Sequence, residues 1–501
     1  MVGTSRELTV LRIPLKGAKH HFGVSVSRGT RPYNEDTHQA GVIEIPAFAQ
    51  RAPMSLTRSQ RTSNNGEATA AENISGDPQV FYFGVFDGHG GAECSTYLKD
   101  KLHAYIEESA KQFELGSSLR ASERLGSGSS DVQQARPESK EDPTRRIDSE
   151  SGREELDDDT VPPIQKINEP RAVDLETTLV QQWKELVGGY FRRFRPEYFF
   201  LSGRGGIVRD PQTAKEEADR AQREGVESTM TEVGIETVLT YAFLKADLDF
   251  ITAQVARAEN DPVLSDKALN EGEILGQASA LRKPPQSQKT FKGGSTCSVA
   301  MISTPTATPF WNPASPSSLV TSHVGDTRVI LCTTADGQAK PLTTDHHPSS
   351  PGEGNRLRRY AATFVTDSFG EERMTGLANT RAFGDMQSKR IGVSAEPEVR
   401  RLEMKPAEYS FLVLVSDGIS GTLNDQEIVD IVKEAKTPDQ GAKDVVSFAT
   451  EVSKEGDNAT CLVVRLGGWE RRSEGGLGSM GTKEGRDWRS QEASEPRSRR
   501  Q

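Results

Sequence analysis

Cysteine is scarce in this chain, and long apolar runs and basic clusters are missing. The four cysteines, Cys94, Cys297, Cys332 and Cys461, lie far apart with no CxxC pair, and three of them fall in apolar, strand-like runs. Buried reduced thiols in an intracellular protein are therefore expected, rather than disulfides or a zinc site. No stretch approaches the ~20 apolar residues of a membrane span. Basic residues are outnumbered, 62 against 73 acidic, for a net charge of -11. Without a basic face or stripe nothing marks a nucleic-acid groove, and the acidic excess mainly favours solubility. Aromatics make up 6% and hydrophobic residues 34%, so part of the 501 residues is too polar to bury a core. The remainder is enough for one large domain.

Ordered and polar text alternate. Residues 1–19 carry Arg6, Arg12, Lys16 and Lys19 against Glu7 alone. That pattern is compatible with a mitochondrial presequence, while the alternation from Leu11 to Leu15 fits a first strand equally well. Phe22–Ser27 alternates as a half-buried strand does. Polar, aperiodic insertions are read near 47–77, 114–170, 202–230 and 259–290, and a disordered tail over 469–501. The second insertion, with its acidic centre Glu154–Asp159, is also a candidate docking segment. Between the insertions, Tyr97, Leu98, Lys101, Leu102, Tyr105 and Ile106 recur at helical spacing. Residues 173–194 and Ile235–Val255 follow the same period. Short β-branched runs come at Val80–Phe86, Ser295–Ile302, Leu319–Val324, Arg328–Thr333, Phe411–Ser416 and Thr460–Leu466. Helical segments 425–435 and 441–453 intervene. Strands in clusters with helices between clusters predict an α+β sandwich instead of a parallel βαβ sheet.

Carboxylates stand where these strands stop. Arg31-Pro-Tyr-Asn-Glu35-Asp36 follows a first hairpin, Asp87-Gly88-His89-Gly90-Gly91 follows Val80–Phe86, Asp417-Gly418 follows Phe411–Ser416, and Asp457-Asn458 precedes Thr460–Leu466. A single Asp-Gly is an ordinary turn. Several at one sheet end make a like-charge cluster that needs a cation, and an all-oxygen set suits Mg²⁺ or Mn²⁺.

With Gly293-Gly294-Ser295-Thr296, Gly325-Asp326-Thr327-Arg328, Thr344-Asp345-His346-His347-Pro348, Thr380-Arg381-Ala382-Phe383-Gly384-Asp385 and Ala395-Glu396-Pro397-Glu398-Val399, the ordered motifs resemble those of the metal-dependent Ser/Thr protein phosphatases of type 2C, the PPM family. The resemblance covers about 20–466, and the insertions look most like its fungal homolog 6 branch, associated with mitochondria. It implies a central antiparallel β-sandwich flanked by helices on both faces, a four-layer αββα arrangement, over residues 20–468. It also implies two Mn²⁺ or Mg²⁺ ions that activate a water for attack on phosphoserine or phosphothreonine. Asp87 would bridge the ions, the Gly88 carbonyl would bind one, Asp417, Asp457 and Glu35 would hold the other, and Asp36 would anchor a bound water. Arg31 would grip phosphate and His89 would protonate the leaving oxygen. Asp326 is a candidate ligand for a third ion, although Gly421 stands where better-studied members carry another third-ion carboxylate. Gly293 and Gly294 read as a turn, Asp385 as a brace for the sheet end, and His346 and His347 as loop histidines.

Phosphoprotein substrates, no nucleic acid and a monomeric state are expected, in mitochondria or alternatively in cytoplasm or nucleus. The competing readings are a pseudophosphatase scaffold that binds partners through its insertions, and a phosphoesterase acting on small molecules.

Overall fold

The computed structural model describes residues 21–50, 76–119, 165, 167–187, 234–257, 293–358, 364–366, 372–374, 378–389, 392–453, 456–472 and 479–494. Residues 1–19, the 202–230 and 259–290 insertions and most of 47–77 and 114–170 lie outside them. In chain order the strands are β1 (Phe22–Ser27), β2 (Thr37–Ile43), β3 (Val80–His89), β4 (Gly294–Ser303), β5 (Ser317–Val324), β6 (Arg328–Thr333), β7 (Ala339–Pro341), β8 (Phe364–Thr366), β9 (Glu372–Met374), β10 (Phe383–Gly384), β11 (Glu398–Met404), β12 (Tyr409–Val415) and β13 (Ala459–Arg465). The helices are α1 (Glu93–Gln112), α2 (Glu169–Val187), α3 (Ile235–Arg257), α4 (Pro351–Arg358), α5 (Met386–Lys389), α6 (Asp417–Ser420), α7 (Asp425–Glu434), α8 (Pro438–Val452) and α9 (Ser479–Ser494).

Two antiparallel sheets form the centre. One has the order β1-β13-β12-β6-β7, and the other β11-β5-β4-β3-β2 with β10 added to β4. Each central strand is covered on both faces, so its apolar run is continuous instead of alternating. The alternation survives in where the side chains go. Phe81, Phe83 and Val85 of β3 meet Leu412 and Leu414 of β12 and Leu462 and Val464 of β13 between the sheets. Tyr82 and Phe86 point the other way, into a layer with Leu98, Leu102 and Ile106 of α1 and Val238, Leu239 and Phe243 of α3. On the far side Val413, Val415 and Val463 pack with Ile428 and Val432 of α7 and Val445 and Ala449 of α8. These three apolar layers, with helices outermost, are the expected αββα architecture.

Local signals set the helix ends. Asn424 accepts the Glu427 N–H while Glu427 returns a bond to the Asn424 N–H, a capping box that starts α7. Thr437 caps α8, with Pro438 in its first turn.

Four expectations change. Among the described residues no hairpin precedes Arg31: β1 pairs with β13 in one sheet and β2 with β3 in the other, so residues 28–36 cross between sheets. β3 does not stop at Phe86, because Asp87, Gly88 and His89 stay paired with Thr296, Ser295 and Gly294. β2 and β11 were hidden by their polar residues, as suits edge strands with an exposed face. The tail after Trp469 is ordered over Ser479–Ser494. There Arg486 bonds Glu434, Arg489 bonds Glu427, and the Thr482 hydroxyl donates to Asp430. Its high polarity reflects these ion pairs with α7.

Candidate active site

The crossover, the end of β3 and the ends of β12 and β13 meet at one edge of the sandwich. Asp87, Asp326 and Asp417 each bring a carboxylate oxygen within 4.8 Å of the others. Asp87 arrives on β3, Asp326 on the β5–β6 turn, and Asp417 as the first residue of α6, where its N–H donates to Asp87 Oδ2 at 3.2 Å. Asp36, from the crossover, is buried (6% exposed). Its Oδ2 accepts the Ser416 and Thr460 hydroxyls, each at 2.8 Å, and its Oδ1 is buried with no hydrogen-bond donor.

Two glycines allow this convergence. A Cβ on Gly88 would run into the Glu35 carbonyl and the Ser95 hydroxyl, and one on Gly418 into the Asn458 carbonyl. Glu35 thereby lies against β3, its carboxylate accepting the Gly91 N–H at 2.6 Å.

Burial and mutual repulsion raise the carboxyl pKa values. Burial is the largest effect on Asp87, followed by the charges of Asp417, Asp36 and Asp326, and the pKa goes well above the usual range. Burial and Asp326 push Asp417 up to about 7. Burial also raises Asp36 and Asp326. Such a set holds protons or a cation. All its donors are oxygens and Asp36 Oδ1 has no donor, so it fits a hard divalent ion.

Asp457 also bears, through its charge, on Asp417 and Asp36. Its Oδ2 pairs with Arg31 Nη2 at 2.7 Å and its Oδ1 accepts the Asn458 N–H at 2.8 Å. Asn458 pins the crossover, accepting the Glu35 N–H at 2.8 Å and donating to the Arg28 and Tyr33 carbonyls at 3.0 and 3.2 Å. Arg31 itself is 54% exposed.

His89 Nε2 lies 2.7 Å from Asp385 Oδ2. Burial disfavours the charged ring, but the hydrogen bond and charge of Asp385 outweigh it and the pKa rises. Asp385 was read only as a brace for the sheet end. Its partner is 296 residues away, and the one local sign of a special role is a left-handed backbone, φ 48°. Asn379, which donates to Asp326 Oδ2 at 2.8 Å, carried no signal in the sequence.

His346 lies in the loop after β7, as expected of a loop histidine. It is buried, stacks on His323 with ring centroids 4.9 Å apart, and its Nδ1 accepts the Gly325 N–H at 3.0 Å. His347 stays at the surface with Ser349. Burial, then the neighbouring imidazole, drives His323 down to about 3, and burial likewise lowers His346. Below pH 6.5 the unfolded chain takes up protons that these folded rings refuse. Their stabilising contribution is therefore full above that pH and is lost on acidification, by about 1.4 kcal/mol per pH unit per ring. Urea midpoints measured from pH 7 to pH 5 should fall steeply, and His323→Gln should flatten the slope.

The chain is similar in sequence to known proteins. Residues 210–458 match the family model "Protein phosphatase 2C". The fission-yeast protein phosphatase 2C homolog 4 is 27% identical over 465 residues, 92% of this chain and 84% of its own. The frog Xenopus laevis "Protein phosphatase 1K, mitochondrial" is 38% identical over 152 residues, 30% of this chain and 40% of that one. A solved serine-threonine phosphatase 2C from Toxoplasma gondii superposes with a TM-score of 0.44 at 14% identity, over 89% of this chain and 94% of that one. Over nearly half its length the chain matches the protein phosphatase 2C family, the PPM phosphatases. The homolog 6 branch is not supported: the relative that spans nearly the whole chain is a homolog 4.

Proposed function

We propose that the chain hydrolyses phosphoserine and phosphothreonine in proteins, with Mn²⁺ or Mg²⁺ held by Asp87, Asp326 and Asp417 and supported by Asp36 and Glu35. The observation that carries this reading is the convergence of those carboxylates from both sheets beside Arg31 and His89. Bound there, two divalent ions would activate the attacking water and offset phosphoryl charge. The Gly88 carbonyl stays a candidate ligand for one ion. Asp457, whose Oδ2 pairs with Arg31, stays a candidate ligand with Asp87 and Asp417, and Asp326, whose carboxylate lies near theirs, stays a candidate for a third ion.

Arg31 offers a planar fork for two phosphate oxygens, with one nitrogen steadied by Asp457. His89 presents a ring whose Nε2–H is held by Asp385, leaving Nδ1 to give its proton to the serine or threonine oxygen as the P–O bond breaks.

Mn²⁺ should raise the melting temperature and switch on hydrolysis of a phosphothreonine peptide, and a chelator should abolish both. A melting curve and turnover that ignore Mn²⁺ over a wide range would sink the enzyme reading in favour of a partner-binding scaffold. Arg31→Ala should raise KM more than it lowers kcat. A mitochondrial location, suggested by the frog relative's name and the basic N-terminal segment, is tested by N-terminal sequencing of the mature protein. No helix among the described residues is long and apolar enough to cross a membrane.

A further inference from the structure

Asp385 holds His89 from a backbone that an L-residue adopts only under constraint. Its φ is 48° and that of Gly384 is 70°. A non-glycine residue there is strained and persists where its surroundings hold it.

The surroundings come from one face of α3 and from α5. Asp247, fully buried on α3, accepts the Gly384 N–H at 2.7 Å through Oδ1. Lys389, at the end of α5, places Nζ 2.5 Å from Asp247 Oδ2 and donates to the Ala382 carbonyl at 2.6 Å. Seven residues along α3, Gln254 donates to the Gly293 carbonyl at 3.4 Å, the same oxygen that accepts the Asp385 N–H at 3.1 Å. The pair thus grips the chain on the N-terminal side of Asp385, at Ala382 and Gly384.

A buried ion pair is a poor source of stability, because two desolvated charges often do no better than well-packed apolar residues. Something other than stability has to account for sealing Asp247 and Lys389 in this layer.

We infer that Asp247 and Lys389 are positioning residues for the proton-transfer step: they fix the Ala382–Asp385 turn so that Asp385 aims His89 at the leaving oxygen. The inference rests on the reading of His89 as general acid and adds two residues that touch neither phosphate nor the carboxylate cluster.

A leaving-group comparison tests it. A serine alkoxide needs a proton to depart, whereas p-nitrophenolate leaves without one, so loss of aim lowers the ratio of phosphoserine-peptide turnover to p-nitrophenyl phosphate turnover. A general structural defect lowers both together. Asp247→Asn should cut that ratio about tenfold, part of the ~10²–10⁴ that general acid catalysis supplies. The melting shift caused by Mn²⁺ should persist. The double variant Asp247→Leu/Lys389→Met removes both charges at similar volume and should show the same fall, and it decides the matter if Asp247→Asn does not fold. An unchanged ratio in these variants, or equal losses on both substrates, overturns the inference. His89→Ala is the control. If it too leaves the ratio unchanged, the acid role of His89 fails. If it lowers the ratio while the Asp247 variants do not, only the positioning role fails.

Discussion

Asp87→Asn is expected to abolish metal-dependent turnover while making the metal-free protein harder to melt. Asp87 is partly buried beside Asp417, Asp36 and Asp326, and burial followed by those charges lifts its pKa well above the usual range. At neutral pH the folded state therefore carries a penalty that an amide of the same shape removes. Each kcal/mol recovered should raise the melting temperature by about 2–4 °C for a domain of this kind. The amide is also a far weaker cation ligand. Loss of a supporting group around a metal typically costs about 10–100-fold, so loss of a direct ligand should exceed that in Mn²⁺ affinity and in turnover. Two calorimetric scans of each protein, with and without Mn²⁺, check both halves. A variant that melts lower without metal, or keeps its Mn²⁺ shift, would refute the assignment of Asp87.

The largest loss of stability should come from Glu353→Gln. Glu353 is buried on α4 and accepts forks from two arginines. Arg381 bonds its Oε1 through Nη2 and Nε at 2.8 and 3.1 Å, and Arg356 bonds its Oε2 at 2.8 and 3.2 Å. The Thr380 hydroxyl adds a bond of 2.5 Å. Burial alone would raise the carboxyl pKa, but the two guanidinium groups overwhelm it and hold it far below the usual range.

Neutralising the carboxylate leaves two arginines half-desolvated around an amide, and breaking a buried pair from one side costs about 3–5 kcal/mol. The melting temperature should drop by roughly 6 °C or more. The same group sets an acid limit. With its folded pKa depressed, its contribution is intact above the unfolded value of 4.5 and drains away as pH falls below it. Equilibrium urea unfolding of wild type and Glu353→Gln at pH 7 and pH 3 would show it, the difference between the two proteins shrinking at the lower pH. A Glu353→Gln protein as stable as wild type at pH 7 would overturn the account.

Much of this was legible before any coordinates. The apolar runs place the central strands within a residue or two, apart from β3, which runs three residues past Phe86, and the carboxylates at their ends mark the site, because a hard-cation centre needs oxygen donors of fixed type. Two kinds of feature were not legible. Sheet membership is one: nothing in Phe22–Ser27 or Thr37–Ile43 says that they join different sheets, since each alternates acceptably against any partner. The other is the set of residues that hold the acidic groups in place. Ser416, Thr460, Asn379 and Asp385 are ordinary polar residues until folding sets them beside Asp36, Asp326 and His89. Asp326 was named by resemblance alone, and its approach to within 4.8 Å of the Asp87 and Asp417 oxygens depends on the β5–β6 turn, which sequence spacing does not reveal.

The crossover between the sheets also bears on the order in which the molecule assembles. Asp36 reaches Ser416 and Thr460 across 380 and 424 residues of chain, and Arg31 reaches Asp457 across 426. Contacts that remote form slowly, after the loops between them have been closed. Until the sheets dock, the four aspartates are spread along the chain and repel nothing. Docking brings them together, so the repulsion falls on the last stage of folding, where a divalent ion can relieve it. Refolding in Mn²⁺ should accordingly speed this late phase and leave early collapse unaltered, which makes the cation a participant in assembly as well as in chemistry.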